Sequence, residues 1–289
     1  MLDFTPNAVH AGIYTALHEG YDRDAGVRLQ VEQPAESTDS IKLLAAGRVD
    51  FAILDIHDLA IADSQRQNLV GVLAFVQRPL AAVIAQPAVA NPKDLEGKTA
   101  GVTGAPSDEA VLDSVLAGAG ANPHAVKRVN IGFQAVPTML ANRVDAATAF
   151  WNVEGLELGK ARPGTHEFRV DEYGAPSYPE LVLCVTKKQV HEHPALVHAV
   201  VSAVVRGYEL TMRDPKRSVA NMLAEVPGLD PPTLSAQLAA LQGAFQGTRA
   251  HYGELDPATL ASWATWEARF GIVSHRPDVG EIFDDSFVH

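Results

Sequence analysis

The segment LLAAGRVDFA at residues 43–52 has a shorter counterpart, MLANRVDAA, at residues 139–147. In each segment an apolar helix end meets Gly47 or Asn142, and these residue types suit a left-handed helix cap best. An Arg-Val-Asp turn then leads into an apolar strand. The pattern predicts two lobes that share one supersecondary plan, with chance similarity over so few positions as the alternative.

The rest of the chain alternates short apolar runs with segments of helical periodicity. The strand-like runs lie at residues 27–31, 51–54, 69–75, 81–85, 99–102, 146–150 and 180–186, and helix-like segments such as 8–19, 37–46 and 108–119 separate them. This alternation is typical of an α/β fold with mostly parallel strands. Further helices are predicted at 190–213, 215–223, 231–245 and 257–270.

The chain is expected to visit one lobe twice. A proline-punctuated stretch contains the apolar run 80–85, where we place the first crossing between the lobes, and the run 180–186 is the return crossing. Lobe 1 is therefore predicted to comprise residues 1–84 and 184–289, including the C-terminal helices. Lobe 2 is predicted to comprise residues 85–183.

The composition and net charge of the chain exclude some classes of binding partner. Its 289 residues are 47% hydrophobic and carry a net charge of −12, with no cluster of Lys and Arg. Such a field repels phosphate, so neither nucleic acid nor an anionic membrane surface is an expected partner. Residues 1–4 look like a strand without its beginning, and we expect that a leader and a tether preceded them.

The cysteine count argues against a disulfide framework or a zinc site. Cys184 is the single cysteine, and it lies in the apolar run 181–185. Neither a disulfide nor a Cys/His metal spacing can be drawn, so we interpret Cys184 as a small buried hydrophobe. We predict neither a metal nor a cofactor.

Ligands of open α/β sheets lie beyond the carboxyl ends of the strands, so the loops that follow strands were searched for candidate residues. In the first loop, DFTPNAVH at residues 3–10, Phe4 can offer a ring face to a flat ligand. Asn7 caps the following helix, contacts the ligand, or does both. His10 is a further candidate, although packing within the helix explains it equally well.

Two more loops carry polar residues. The second, LDIHD at residues 54–58, supplies Asp55 as a ligand-binding candidate. One histidine with two carboxylates lacks further metal ligands, and Asp58 is equally suited to cap a helix at 59–63. The third, VTGAPSDE at residues 102–109, supplies Thr103, Gly104 and Ser107, whose donors at a helix start suit an acceptor atom on a ligand or simply cap the helix.

The fourth loop, AFWNVEG at residues 149–155, is the most specific of the set. Trp151 can stack on a ring, while Asn152 and Glu154 can bind its polar edge, which together suit a nitrogen heterocycle. Core packing is the alternative role for Trp151. Tyr178, just before the return crossing, adds a second ring and a hydroxyl or packs in the hinge.

Several of these blocks resemble one known family. The opening block DFTPN at residues 3–7, with His10 and with AGV at 25–27, resembles binding proteins grouped with the thiamine-pyrimidine synthesis family. The blocks GAPSDE at 104–109, FWNVEG at 150–155 and YPELVL at 178–183 are similar to later blocks of that family, in the same order. The likeness spans nearly the whole chain, and its Trp-Asn-x-Glu block discriminates best.

The resemblance implies a type II periplasmic-binding-protein fold, in which two α/β lobes are joined by a two-strand hinge with the ligand cleft between them. It implies an extracytoplasmic solute-binding protein of an ABC importer, periplasmic or tethered as a lipoprotein, that works as a monomer with a permease and its ATPase. The expected ligand is a small heteroaromatic metabolite, a thiamine pyrimidine precursor first and riboflavin second.

Two departures from the family bear on the activity. The Cys-Cys-Cys-Phe-Cys segment of the fungal synthases is missing, and Phe4 stands where Trp is common in the opening block. We therefore do not expect an enzyme. A pyrimidine synthase or a desulfinase-like enzyme on the same fold is the alternative, and it needs a cleft-facing Cys184 or a metal at His57. A ligand-sensing module is the third interpretation.

Overall fold

Two separate β-sheets organise the chain. The computed structural model describes residues 1–288, apart from the side chain of Pro106. The described strands are β1 (Ala52–Asp55), β2 (Leu69–Ala74), β3 (Ala81–Ala85), β4 (Thr99–Val102), β5 (Lys127–Asn130), β6 (Ala146–Phe150), β7 (His166–Arg169) and β8 (Leu181–Thr186). One sheet has the order β1-β8-β2 and the other the order β5-β4-β6-β3-β7.

The strand directions differ from the sequence-based expectation. Within residues 1–288, parallel pairing is limited to β4 with its two neighbours β5 and β6, and the other ladders are antiparallel. The prediction of mostly parallel strands is therefore wrong. The reason is that β3 and β8 arrive from the other lobe, so each enters its sheet against the direction of the strands it joins.

Helices cover the faces of both sheets. They are α1 (Ala11–Glu19), α2 (Tyr21–Asp24), α3 (Asp39–Ala45), α4 (Ile56–Ser64), α5 (Pro106–Gly118), α6 (Ala135–Leu140), α7 (Leu156–Ala161), α8 (Lys187–Glu192), α9 (Pro194–Arg213), α10 (Pro215–Glu225), α11 (Pro231–Phe245), α12 (Pro257–Arg269) and α13 (Val279–Ile282). A search of the described helices finds none with the length and apolar character needed to cross a membrane.

The repeated segment forms the same structure in both lobes. Gly47 follows α3 with a φ of 64°, and Asn142 follows α6 with a φ of 55°, so both residues adopt the left-handed conformation. Each then leads into a buried strand, β1 in one sheet and β6 in the other. The predicted pair of helix, left-handed cap and strand is confirmed.

One predicted strand does not form, and two strands were not predicted. Residues 27–31 join no ladder, and the N–H of Leu29 donates to the Asp22 carboxylate. Strands β5 and β7 lack a recognisable apolar alternation. Most of β5 is exposed, and its sequence, KRVN, is mainly polar.

Helices α9 to α12 each begin with proline. The helix predicted at 190–213 is divided at His193, since α8 ends at Glu192 and α9 begins at Pro194. Asp214, Asp230 and Asp256 cap α10, α11 and α12, because each carboxylate accepts the N–H of the third residue after it. The long helix α9 packs against α1 and returns the chain to the first lobe.

The chain crosses between the sheets after β2 and again before β8. Both crossings are buried and lie side by side, since the N–H of Phe75 donates to the carbonyl of Leu181 at 2.8 Å. All of β3 belongs to the five-stranded sheet and all of β8 to the three-stranded sheet. The boundaries proposed after residues 84 and 183 cut through these two strands, whereas boundaries after 80 and 180 keep both whole.

Candidate functional site

A cavity lies between the two sheets and is lined by both lobes. It encloses about 820 Å³, a volume that includes the solvent at its mouth. The first lobe contributes the loop after residue 2, the carboxyl end of β1 and the start of α4, and the second contributes the loop after β4 and the end of β6. A concave space of this kind, lined by apolar and aromatic side chains with a few polar groups, is the usual setting of a small-molecule site.

Two phenylalanines face each other across the mouth of the cavity. Phe4 comes from the opening loop of the first lobe and Phe133 from the loop between β5 and α6 of the second lobe. Their ring centroids lie 4.5 Å apart at an interplanar angle of 89°, which is edge-to-face contact. Phe4, a predicted ligand-binding residue, lines the cavity, and Phe133, which the sequence analysis missed, lines it from the opposite lobe.

The opening loop is held by hydrogen bonds among its own residues. Asn7 accepts the N–H of Val9 at 3.0 Å, and the N–H of Asn7 donates to Nδ1 of His10. Since Nδ1 of His10 accepts, its Nε2–H donates to the Asp3 carboxylate at 2.8 Å. Asn7 and His10 therefore lie outside the cavity lining and position Asp3, which lines it.

The loop after β4 presents a carboxylate to the cavity. The N–H and hydroxyl donors of this loop were expected to bind a ligand acceptor, but the Asp108 carboxylate accepts the N–H of Thr103 at 2.5 Å and the hydroxyl of Thr148 at 3.1 Å. Thr103 and Ser107 line the cavity. Gly104 lies outside the lining and makes the turn with a φ of 95°, where a Cβ would come within 2.4 Å of Asn130.

The end of β6 turns two of its side chains toward the cavity. Residues 151–155 form a π-helical turn directly after the strand. Phe150 and Glu154 lie on one side of this turn and both line the cavity, with the N–H of Phe150 donating to the Glu154 carboxylate at 3.2 Å. Phe150 was not predicted as a site residue, because no pattern in the sequence indicates the π-helical turn.

Trp151 and Asn152 point away from the cavity. The indole of Trp151 is 3% exposed, and its Nε1–H donates to the carbonyl of Pro79 in the first crossing at 3.0 Å. The guanidinium of Arg169 lies 4.2 Å from the centroid of its ring. The prediction that Trp151 stacks on the ligand is not supported by this geometry, because the π-helical turn directs the indole into the hinge and the core.

Asn152 follows Trp151 into the protein interior. The residue is fully buried, and neither polar atom of its side chain has a hydrogen-bond partner among the described residues. It does not line the cavity. Its predicted role in binding the polar edge of a ligand therefore has no geometric basis in this structure.

Tyr178 belongs to a buried network around His57 in the hinge. The Tyr178 hydroxyl lies 3.0 Å from Nε2 of His57, and Nδ1 of His57 is bonded to the Glu267 carboxylate. Burial alone would lower the pKa of His57, but the nearby carboxylates of Glu267 and Asp55 outweigh it and raise the pKa to about 10. This raised pKa favours the cationic form of His57, and Tyr178 lies outside the cavity lining.

Asp55 connects this network to the cavity. It caps α4, since its carboxylate accepts the N–H of His57 at 2.8 Å, and it also lines the cavity. The alternative prediction for Asp58 is that it caps this helix, but Asp58 lies in the first turn of α4 and Asp55 is the cap. Burial raises the pKa of the Asp55 carboxyl well above its ordinary value.

Within the described part of the chain, one group of side chains has the spacing of a metal site. Asp55, His57 and Glu180 offer ligand atoms within 4.8 Å of one another. Metals bind the neutral imidazole, however, whereas the nearby carboxylates raise the pKa of His57 to about 10, and both of its ring nitrogens already have partners in the hinge. The arrangement fits a hinge network better than a metal site.

The cavity wall is acidic. Its lining includes Asp3, Asp55, Asp58, Asp108 and Glu154, and no lining residue that the structure describes is Lys, Arg or His. Burial raises the pKa of Asp58 to about 7, with a further contribution from Asp108, and burial also raises the pKa of Glu154 to about 7. Such a wall accepts N–H donors and cations and repels anions.

The chain's single cysteine does not face this cavity. Cys184 is fully buried in the centre of the three-stranded sheet, and its thiol contacts the carbonyl of Val182. Burial raises the pKa of the thiol well above its ordinary value, which keeps it protonated and unreactive. The cleft-facing cysteine that the enzyme alternative needs is therefore not found at Cys184.

Two lobes of this topology, joined by paired crossings around a cleft, define the fold of periplasmic binding proteins. The alkanesulfonate-binding protein SsuA of Xanthomonas axonopodis pv. citri, solved with bound MOPS, matches 96% of this chain and 96% of its own with a TM-score of 0.78 at 15% sequence identity. The type II fold predicted from the sequence is confirmed.

The chain belongs to the NMT1/THI5-like family, whose profile matches residues 7–218. A formylaminopyrimidine-binding protein of Halalkalibacterium halodurans is 31% identical over 77% of this chain and 68% of its own length. A 4-amino-5-hydroxymethyl-2-methylpyrimidine phosphate synthase of Legionella pneumophila is 22% identical over 80% of this chain and 74% of its own length. The family resemblance is confirmed, and the relatives include both binding proteins and synthases.

Proposed function

We propose that this protein is the solute-binding component of an ABC importer and that it captures a small, amine-bearing pyrimidine. The observation that carries the proposal is the cavity between the lobes, which combines aromatic rings with a wall of carboxylates and lacks a basic lining residue. A flat heterocycle with exocyclic N–H groups complements both features. The likeness to a formylaminopyrimidine-binding protein supports this ligand class.

The charge of the wall argues against a sulfonate ligand, although a sulfonate binder shares the fold. A sulfonate is a permanent anion, and its binding requires cationic side chains or free N–H donors. Here the N–H of Thr103 already donates to Asp108, and Asp108 itself faces the cavity. The likeness to SsuA therefore extends to the fold, and the ligand differs.

Each lobe contributes part of the proposed binding site. The rings of Phe4 and Phe133 cover the ligand at the mouth, and Phe150 packs against it from the end of β6. Glu154 and Asp108 accept N–H groups from its edge. Since contacts come from both lobes, ligand binding stabilises the closed arrangement, which is how a two-lobed protein presents its cargo to a permease.

The proposed role in an ABC importer determines where the protein works and with which partners. The protein works outside the cytoplasm with a membrane permease and its ATPase, in the periplasm or tethered to the membrane by a lipid, and as a monomer. A synthase is the second candidate function, and the likeness to named synthases favours it. Against it stands the burial of Cys184, away from the cleft.

A ligand screen with product analysis separates these functions. Purified protein would be tested by thermal shift and calorimetry against formylaminopyrimidine, hydroxymethylpyrimidine, thiamine, riboflavin, taurine and an aromatic sulfonate, and every ligand would then be recovered for mass analysis. A pyrimidine that raises the melting temperature with concentration and is recovered unchanged supports the carrier. Chemical conversion of the ligand, or a response to sulfonates alone, contradicts it.

A further inference from the structure

An acidic side chain of each lobe meets the other at one edge of the cavity. Helix α4 of the first lobe carries Asp58 and packs against α5 of the second lobe, which carries Ser107 and Asp108 in its first turn. All three residues line the cavity. The side chain of Ser107 lowers the pKa of the Asp58 carboxyl as a hydrogen-bonding group.

Asp58 retains an unused acceptor in this position. The residue is only 9% exposed, and its Oδ1 atom has no hydrogen-bond partner among the described residues. A buried carboxylate oxygen without a partner costs free energy, so native proteins normally satisfy it. A group supplied by the ligand can fill this place, because Asp58 lines the space that the ligand occupies.

The nearby carboxylate of Asp108 increases the free-energy cost of burying the Asp58 carboxylate. The Asp108 carboxylate is oriented by the N–H of Thr103 and the hydroxyl of Thr148, both of which donate to Oδ2 and stabilise its negative charge without neutralising it. After burial, the charge of Asp108 is the largest contribution that raises the pKa of Asp58. Closing an empty cleft therefore brings two acidic groups together in a poorly solvated place.

Among the described residues that act most strongly on Asp58, the basic side chain is His57, and it is bonded elsewhere. His57 lowers the pKa of Asp58, but its Nδ1 bonds to Glu267, and Glu267 itself raises the pKa of Asp58. The described lining of the cavity offers no lysine, arginine or histidine to balance Asp58 and Asp108. The balancing positive charge has to come from a proton or from the ligand.

We propose that Asp58 and Asp108 form a subsite, shared by the two lobes, for a positively charged nitrogen group of the ligand. The inference rests on the proposed function and specifies its ligand class as a cationic amino-heterocycle. The charge is carried either by an ammonium arm or by the protonated ring edge of an aminopyrimidine. By bridging the two carboxylates, the cation removes their repulsion as the lobes close, so the charge of the ligand is coupled to closure.

Three probes separate the two sources of charge. The first is an aminopyrimidine with an aminomethyl arm, the second is its N-formyl derivative, whose arm is neutral, and the third is a pyrimidinone with the same aminomethyl arm, whose ring does not take up a proton. Calorimetry would measure each with the wild type and with Asp58→Asn. The matched control is Asp63→Asn, which changes the same charge on α4 outside the cavity lining.

Asp58→Asn should weaken binding of the bridging probes by at least about 30-fold, because a buried charge contact is lost. If Asp58→Asn loses affinity for the first and third probes, the charge lies on the arm. If it loses affinity for the first and second probes, the charge lies on the ring. Asp63→Asn should change each affinity by less than about 2-fold. Equal changes for all three probes, or no change, overturn the subsite.

A stability measurement keeps the subsite distinct from a structural role. Ligand-free Asp58→Asn should melt at or above the wild-type temperature, because it removes an unsatisfied buried charge. A marked drop would mean that Asp58 chiefly stabilises the fold, and the subsite would be rejected. If the wild type binds only the neutral-armed probe and Asp58→Asn leaves that affinity unchanged, the proposed function stands and the subsite fails. If it binds none of the probes, the proposed function itself fails.

Discussion

Glu180 and Leu80 join the two crossings of the hinge, since the buried carboxylate of Glu180 accepts the N–H of Leu80 at 2.6 Å. The same oxygen also accepts the N–H of Ala81 at 2.8 Å. Its other oxygen lies 3.8 Å from Nε2 of His57, whose pKa the nearby carboxylates raise to about 10. One acidic side chain thus connects both crossings to the cationic network beneath the cavity.

Replacing Glu180 by Ala should destabilise the protein by about 2–5 kcal/mol, because two buried N–H groups lose their acceptor and His57 loses a nearby negative charge. Urea unfolding followed by tryptophan fluorescence measures the change. Glu172→Ala serves as the control, because Glu172 is an exposed acidic residue of the same lobe. Equal unfolding midpoints for the two variants would show that the hinge does not depend on Glu180.

Replacing Trp151 by Phe should lower stability and leave ligand affinity nearly unchanged. The smaller ring cannot donate to the carbonyl of Pro79 and offers Arg169 a smaller face, which together cost about 1–3 kcal/mol. Thermal unfolding and calorimetric titration of the same sample measure both properties. A large loss of affinity with unchanged stability would restore Trp151 to the ligand site.

Removing either ring at the mouth should shorten the lifetime of the bound ligand. Phe4→Ala and Phe133→Ala each open the cover formed by the edge-to-face pair, which contributes about 0.5–1.5 kcal/mol beyond its buried area. Stopped-flow dissociation should therefore give faster release with little change in the rate of association. A double variant whose effect equals the sum of the single effects would mean that the two rings do not act together.

The stability of the ligand-free protein should fall as the pH rises from about 4 to about 8. The folded-state pKa values of Asp58 and Glu154 are raised to about 7, so the protonated carboxyls contribute stability that is present at low pH and lost through that range. Around Asp58 the facing groups are Asp108, His57, Ser107 and Glu267. The pKa of His57 is raised to about 10, so its stabilising contribution is lost between about pH 6.5 and pH 10 and adds to the decrease in the upper part of this window.

The double variant Asp58→Asn, Glu154→Gln tests this pH dependence. It should flatten the decrease in melting temperature between pH 5 and pH 8 by an amount that corresponds to roughly 1–3 kcal/mol for each carboxyl. Glu109→Gln is the control, because Glu109 is exposed on α5. A decrease as steep as that of the wild type would place the responsible groups elsewhere.

The fold could be predicted from the sequence where local signals and burial agree. The Gly47 and Asn142 caps mark the same helix-to-strand transition in both lobes, and proline with a preceding aspartate marks the C-terminal helices. Strand direction could not be predicted, because it depends on which lobe β3 and β8 join. A local sequence pattern contains no information about that choice.

The site could be predicted only in part, for a similar reason. The four loops that follow the predicted strands do reach the cavity. The predicted residues that line it are Phe4, Asp55, Thr103, Ser107 and Glu154. The orientation of individual side chains at the end of β6 depends on a π-helical turn, which brings Phe150 to the cavity and sends Trp151 to the hinge. Phe133 and Asp108 escaped notice because their importance arises only when the two lobes meet.

The central claim is that the cavity between the lobes binds the pyrimidine, and blocking that cavity tests it most directly. Ala105 lines the cavity from a half-buried loop position, whereas Ala117 is exposed on α5, so Ala105→Trp and Ala117→Trp form a matched pair. In calorimetric titration with formylaminopyrimidine, the wild type and Ala117→Trp should bind alike, and Ala105→Trp should bind at least about 100-fold more weakly, because the indole occupies the ligand's space. Equal binding by both variants would contradict the account.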